Sequence, residues 1–242
     1  NLPRWNDGAL DYARLIEGGD IYRTNLLDPL ILNWTADSKN KKILDAGCGE
    51  GYLSRKLKSG GATVIGIDGS SELIKIARSK SGVQNINFLE ADLRTPLPFS
   101  NSEFDIVIAN LVLMDVDPIN ETLREFSRIL RSGGDFIFSI LHPAFASHKL
   151  GKTLKQFILY QPPHYQVAHY HAPHRRVRNI KGTNLEVYYY HRPLEYYFEL
   201  LKANYFVVTD LKEPVFDKDF VKDKNNFYNT LHFVLEMSWY LL

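Results

Sequence analysis

The chain has 242 residues, and its 29 basic and 28 acidic side chains leave a net charge of +1, so no global basic field points to nucleic-acid or membrane binding. Hydrophobic residues at 45% provide for a sizeable core and charged residues at 24% are ordinary for a globular protein, so a single domain over residues 1–242 is expected. Cys48 stands alone, which excludes an internal disulfide framework and fits a reducing compartment. No apolar run approaches the ~20 residues of a membrane helix, no signal pattern opens the chain, and a cytoplasmic location is expected.

The first 40 residues read as one or two helices ahead of a sheet, a helical cap over 1–40. From Lys42 onward, short apolar runs alternate with helical patterns. "KILD" (Lys42 to Asp45) reads as a buried strand. "YLSRKLKSG" reads as a helix with Leu53 and Leu57 four apart and a glycine at its end. "TVIGID" (Thr63 to Asp68) is a second strand, and "SSELIKIARSKSG" a helix that begins at serine and stops at Gly82. "INFLEAD" is a third strand and "FDIVIANLVL", from Phe104, a fourth. In "DPINETLREFSRILRSGG", Asp117 is placed to cap a helix, Pro118 suits its first turn and Gly133 its end. Ile119, Leu123, Phe126 and Leu130 share one face of it. "GDFIFSIL" (Gly134 to Leu141) is a fifth strand.

Residues 143–191 break the alternation. They are rich in Tyr, His and Pro and show no clean helical period, so they read as an insertion. "RPLEYYFELLKAN" resumes as a helix with Leu194, Tyr197, Phe198 and Leu201 on one face, and "YFVVTDL" and "LHFVLEMSW" follow as two strands. Strands apolar nearly throughout and separated by helices imply an α/β fold, a doubly wound, mostly parallel sheet with helices on both faces. Ligands in such sheets bind beyond the carboxyl ends of the strands.

The loop after the first strand, "DAGCGEG", carries Gly47, Gly49 and Gly51 at every second position. A dinucleotide fingerprint spaces its glycines G-x-G-x-x-G and rests a pyrophosphate on the helix N-terminus. Here Asp45 precedes the loop and Glu50 lies within it, and carboxylates repel a pyrophosphate but suit a cationic ligand. Asp68 ends the second strand, where an acid hydrogen-bonds a ribose diol, and that feature fits NAD equally. Asp92 follows the third strand, placed to accept a bond from an exocyclic amine. Packing alone is the third reading of such a glycine turn. Together the acids describe a ligand with a ribose, an adenine-like ring and a positive end, and no phosphates.

"LDAGCGEGYLS" resembles the first motif of class I S-adenosylmethionine-dependent methyltransferases. "GIDGS" is similar to their second motif, "EADL" to their third, and "LRSGG" to the turn before their fifth strand. The resemblance covers roughly Lys41 to Leu141, and it implies a seven-stranded sheet of order 3-2-1-4-5-7-6. It further implies S-adenosylmethionine as cofactor, S-adenosylhomocysteine as product and methyl transfer to a small-molecule acceptor. By position, Gly47, Cys48 and Gly49 would line the methionine part, and Asp45 would orient that loop or reach the methionine ammonium. Asp68 would hold the ribose hydroxyls with Gly69 and Ser70 beside it. Asp92 and Leu93 would meet the adenine edge and face, and Asn110 would sit near the sulfonium. The exit of the fourth strand, "NLVLMD", departs from the Asn/Asp-Pro-Pro-aromatic pattern of amide and adenine N-methyltransferases, which argues against those acceptors.

His142, at the end of the fifth strand, is the candidate general base, against the alternative that it only bonds loop backbone ahead of Pro143. Asp115 is a further candidate for contacting a substrate amine. Arg23, in "GGDIYRTNLLDP", is the candidate partner of the cofactor's carboxylate, with Tyr12 or Tyr22 over the pocket. The segment "HYQVAHYHAPHRRVRN" invites three readings. His164, His169, His171 and His174 suggest a metal but lack partners at recognisable spacing, so no metal is assigned. Arg175, Arg176 and Arg178 within the basic 174–181 loop suggest RNA, and an RNA methyltransferase is the alternative function. The preferred reading is a lid or acceptor pocket with aromatic walls. A cofactor-binding partner subunit without catalysis is the third alternative.

Overall fold

A computed structural model describes residues 1–80, 85–144 and 169–216 in full, and 232–239 by their backbone. The central sheet has seven strands. In chain order they are β1 (Lys42–Ala46), β2 (Thr63–Asp68), β3 (Asn87–Glu90), β4 (Phe104–Asn110) and β5 (Leu130–Leu141), then β8 (Phe206–Lys212) and β9 (His232–Trp239). Their spatial order is β3-β2-β1-β4-β5-β9-β8. β1 to β5 pair in parallel and β9 pairs antiparallel with both β5 and β8. The order implied by the resemblance is therefore present, with one addition. β6 (His174–Asn179) and β7 (Glu186–His191) form a separate antiparallel hairpin inside the insertion.

Alternate residues of the parallel strands go to opposite faces. Ile43, Ile106, Ile108 and Ile137 pack on one face, with Ile31 of α3 (Asp28–Trp34), Leu53 and Leu57 of α4 (Tyr52–Ser59) and Ile74 of α5 (Ser71–Lys80). Leu44, Val107, Phe136 and Phe138 pack on the other. There they meet Leu123 and Phe126 of α6 (Asn120–Ile129) and Tyr197 and Leu201 of α7 (Leu194–Ala203). Burial of side chains of this size stabilises the fold by about 1.5–3 kcal/mol each. Residues 1–40 hold three short helices where one or two were expected: α1 (Leu2–Asp7), α2 (Ala9–Glu17) and, after a π-helical turn (Arg23–Leu27), α3. Among the described residues no helix is long and apolar enough to cross a membrane.

Both ends of α6 differ from the sequence reading. α6 begins at Asn120 with no side-chain cap, because the Asp117 carboxylate is drawn to Arg192 at 2.7 Å. It ends at Ile129 rather than at Gly133, because Leu130 is already paired with Phe104 of β4. The expected stop of α5 at Gly82 and the candidate ligand His164 lie outside the described residues.

Candidate active site

The glycine loop is fixed from below. Gly47 and Cys48 both donate their backbone N–H to the Ile67 carbonyl, at 2.7 and 2.9 Å, Gly49 donates to Asp68 Oδ2 at 2.9 Å, and Gly51 donates to the Cys48 carbonyl at 3.0 Å. Gly47 has φ +75°, and a Cβ there would lie 2.4 Å from Val112 Cγ2. Gly51 has φ +81°, and a Cβ there would lie 2.6 Å from Phe88 Cζ. Both need the left-handed region and both stand against a neighbour. Gly47→Ala is expected to lower unfolding free energy by about 2 kcal/mol, from the backbone penalty and the contact with Val112. Denaturant unfolding checks it, and an unchanged midpoint would show that Val112 yields.

A cavity, partly open to solvent, lies over this loop. Gly47, Cys48, Gly49, Asp68, Gly69, Asp92, Leu93, Asn110 and Arg23 all line it, so nine of the positions read from the sequence converge. Asp68 is held at both oxygens, Oδ2 by Gly49 and Oδ1 by the Ser70 N–H at 2.8 Å. Each oxygen retains a lone pair, and burial raises the carboxyl pKa against the pull of those two bonds. Asn110 Oδ1 accepts from Ser139 Oγ at 2.5 Å, which fixes the amide at the end of β4. Leu93 is buried, and the Cys48 thiol is pushed well up by burial, as an inert lining group.

Other positions behave differently from the reading. Ser70 does not line the cavity: its hydroxyl donates to Asn6 Oδ1 at 2.6 Å and accepts from the Leu73 N–H, capping α5 and holding α1. Asp45 is buried behind the loop, where Ser54 Oγ donates to it at 2.6 Å. Its geometry fits the loop-orienting role rather than direct reach. Burial lifts its carboxyl to about 6, with the Ser54 bond and Arg23 opposing. A folded-state pKa above the unfolded one means that ionisation costs stability, so the penalty is absent below about pH 4 and complete above about pH 6. Asp45→Asn keeps an acceptor for Ser54, and it is expected to stabilise the protein by roughly 3 kcal/mol at pH 8 and negligibly at pH 4. Urea unfolding at the two pH values reads it.

Glu50 does not offer a charge to a cation. Its carboxylate is bound by Arg55 at 2.8 Å and Lys80 at 3.2 Å. Asp92 is gripped by Arg94, closest at 2.6 Å, which holds its carboxyl below the usual range, so the edge at which an amine was expected is a carboxylate–guanidinium pair. Arg23 is partly buried, bonded to the Tyr12 hydroxyl and 3.4 Å from Asp20 Oδ2.

His142 is not brought to either cavity. Its Nδ1 accepts the Ala144 N–H at 3.1 Å, which places the proton on Nε2, 3.0 Å from Glu213 Oε1. There it bonds both the chain beyond β5 and Glu213, and its place outside both cavities gives the expected general-base role no support. Burial lowers its pKa, with Glu213 opposing.

The cap supplies what the motifs did not. Leu2, Trp5 and Tyr12 line the cavity from α1 and α2, and a Cβ on Gly69 would lie 2.5 Å from Leu2. Asn1 Nδ2 donates to the Asp115 and Tyr188 carbonyls at 2.9 and 3.0 Å, pinning α1 to the hairpin. A second, more open cleft adjoins, and it shares Trp5, Tyr12, Arg23, Leu111 and Asp115 with the first. The hairpin arginines are taken up locally. Arg175 lies 4.5 Å over the Tyr188 ring and Arg176 4.6 Å over Tyr189, while Arg178 reaches Asp115. The described histidines also turn to their own segment: His174 stacks on His191, whose Nε2 meets the Tyr170 carbonyl at 2.8 Å.

A methyltransferase-domain family matches residues 44–138. The malonyl-[acyl-carrier protein] O-methyltransferase of Hamiltonella defensa is 38% identical over 46% of this chain and 42% of its own length. The ubiquinone biosynthesis O-methyltransferase of Aromatoleum aromaticum is 28% identical over 86% of this chain and 84% of its own. The chain spans less than two thirds of the length of the first curated relatives it matches. A solved S-adenosylmethionine-dependent methyltransferase from Mesorhizobium loti superposes with a TM-score of 0.73 at 20% identity, covering 87% of this chain and 96% of that one. Residues 44–138 thus match a methyltransferase-domain family, and the fold around them is the one seen in solved S-adenosylmethionine-dependent methyltransferases.

Proposed function

We propose that the protein is a methyltransferase that uses S-adenosylmethionine and acts on a small-molecule acceptor. One observation carries the reading. The N–H groups of Gly47, Cys48, Gly49 and Gly51 are already bound by Ile67, Asp68 and Cys48, while Asp68 keeps lone pairs beside the cavity. A phosphate-free ribose ligand fits that arrangement better than a dinucleotide does.

When bound, S-adenosylmethionine supplies a methyl group on a sulfonium, already electrophilic. The chain's part is placement and exclusion of water, and orientation of this kind supplies about 7–11 kcal/mol of a barrier. Asp68 takes the ribose hydroxyls, Leu93 covers the adenine face and the Asp92–Arg94 pair stands at its edge. Gly47, Cys48 and Gly49 border the methionine part, and Asp45, through Ser54, keeps that loop in place. Asn110 faces the sulfonium end, and Arg23 is the cation nearest at hand for the carboxylate. Leu2, Trp5 and Tyr12 close the site from above. The adjoining cleft, with its aromatic and apolar wall, is the place for the acceptor. The relatives whose names specify O-methylation favour an oxygen acceptor.

The test uses methyl-labelled S-adenosylmethionine with separate small-metabolite, RNA and protein fractions of the source cells. Label in the small-metabolite fraction is expected and identifies the acceptor by mass. Label confined to RNA would move the function to the hairpin arginines, and cofactor binding with no transfer would leave a non-catalytic subunit.

A further inference from the structure

Asp115 occupies a position that the cofactor does not account for. It closes a short 3-10 turn (Leu113–Asp115) after β4 and lines both the cofactor cavity and the adjoining cleft. Its side chain is 10% exposed, and both its oxygens lie 3.3 Å from Arg178 Nη2. Charge-assisted bonds between such partners normally close to about 2.7–2.9 Å. Arg178 Nε is buried without a hydrogen-bond partner, although Arg178 itself lines the cleft. A carboxylate and a guanidinium held apart at the junction of two cavities leave hydrogen-bonding capacity for a third polar group there.

We propose that Asp115 takes the proton of a hydroxyl or N–H methyl acceptor bound in the cleft, and that Arg178 holds the carboxylate and the acceptor in place. This rests on the methyltransferase reading. As the acceptor's lone pair forms the new bond to the methyl carbon, the C–S bond breaks with its electron pair going to sulfur. The acceptor's proton passes to an Asp115 oxygen, and a neutral thioether and a neutral methylated product remain. The assignment restricts the acceptor class. An anionic acceptor such as a carboxylate needs no base and would be repelled by Asp115, so a protonated oxygen or nitrogen is the group this site takes.

Burial raises the Asp115 carboxyl to about 6, with Arg178 opposing. The other titratable groups around it are Tyr12 on α2, Tyr189 on β7 and Tyr197 on α7, and Arg23 lines the same two cavities. Burial raises the pKa of each of these tyrosines above its ordinary value, so they stay neutral while Asp115 titrates. Behind the turn, Arg192 is matched by Asp117.

The experiment measures label transfer from methyl-labelled S-adenosylmethionine to the small-metabolite fraction between pH 5 and 9, and S-adenosylhomocysteine affinity by calorimetry. The wild-type rate is expected to rise through about pH 6. Asp115→Asn is expected to lose a hundredfold or more in rate with S-adenosylhomocysteine affinity kept. Arg178→Met is expected to move the inflection to higher pH, which a merely structural role would not do, and it carries the test should Asp115→Asn fail to fold. Transfer by Asp115→Asn at the wild-type rate, or a wild-type rate flat across pH 6, overturns the proposal alone. Absence of S-adenosylhomocysteine binding or of any wild-type transfer overturns the proposed function and this assignment with it.

Discussion

Asp68→Ala is expected to weaken S-adenosylmethionine binding about a hundredfold, close to 3 kcal/mol, while the protein stays folded. Two losses add up. The first is direct: a carboxylate that accepts the ribose hydroxyls is gone, and bonds to a charged group contribute about 1.5–3 kcal/mol. The second is indirect. Asp68 also accepts the Gly49 N–H at 2.9 Å and the Ser70 N–H at 2.8 Å, so it ties the glycine loop to the start of α5. Without it the Gly49 N–H lacks its partner and the loop loses a fixed point. Asp68→Asn separates the two, because the amide keeps one acceptor and loses the charge. It is expected to fall between wild type and Asp68→Ala. Calorimetric titration with S-adenosylmethionine reads all three, and equal affinity for Asp68→Ala and wild type would remove Asp68 from the ribose site.

The parts of the site that could be read in advance are those whose chemistry is local. Asp45, the three glycines and Asp68 lie at strand ends, and a strand end places its side chain without help from distant residues. The same holds for Asn110 at the end of β4. What escaped the sequence depends on partners far along the chain. Asp117 has every local feature of a helix cap, yet its carboxylate goes to Arg192, 75 residues away, and α6 starts three residues later. Glu50 looked like a charge offered to a ligand, but Arg55 and Lys80 neutralise it. His142 stands where the strand count placed it, at the end of β5. Its ring direction is decided by the Ala144 N–H and Glu213, neither of which the strand pattern predicts. The hairpin had a readable signal that periodicity over the whole insertion concealed. "GTNLEVYYYH" joins a turn cluster to a β-prone run, and its tyrosines meet the arginines of the preceding strand.

Arg192 is the residue on which the site's far wall most depends, and no motif marks it. Only 3% of it is exposed. Its guanidinium donates to the Leu113 carbonyl at 3.1 Å, the Val116 carbonyl at 2.7 Å and Asp117 Oδ1 at 2.7 Å, and it lies over the Tyr190 and Tyr196 rings. Those two carbonyls flank Asp115, so one side chain between β7 and α7 holds the turn that presents Asp115 and Val116 to the cavity. Arg192→Met keeps much of the volume and removes the donors. It is expected to destabilise the protein by about 3 to 5 kcal/mol, because two backbone carbonyls lose their partner and the tyrosine rings lose their cation. Asp117 is half exposed, so water replaces the lost ion pair there and little of the cost arises from it. Urea unfolding measures the total. Arg192→Lys is expected to recover only part, since an ammonium cannot bridge two carbonyls and a carboxylate in one plane. A midpoint for Arg192→Met equal to wild type would mean that the turn after β4 holds its shape unaided, and the link from Arg192 to the site would be lost.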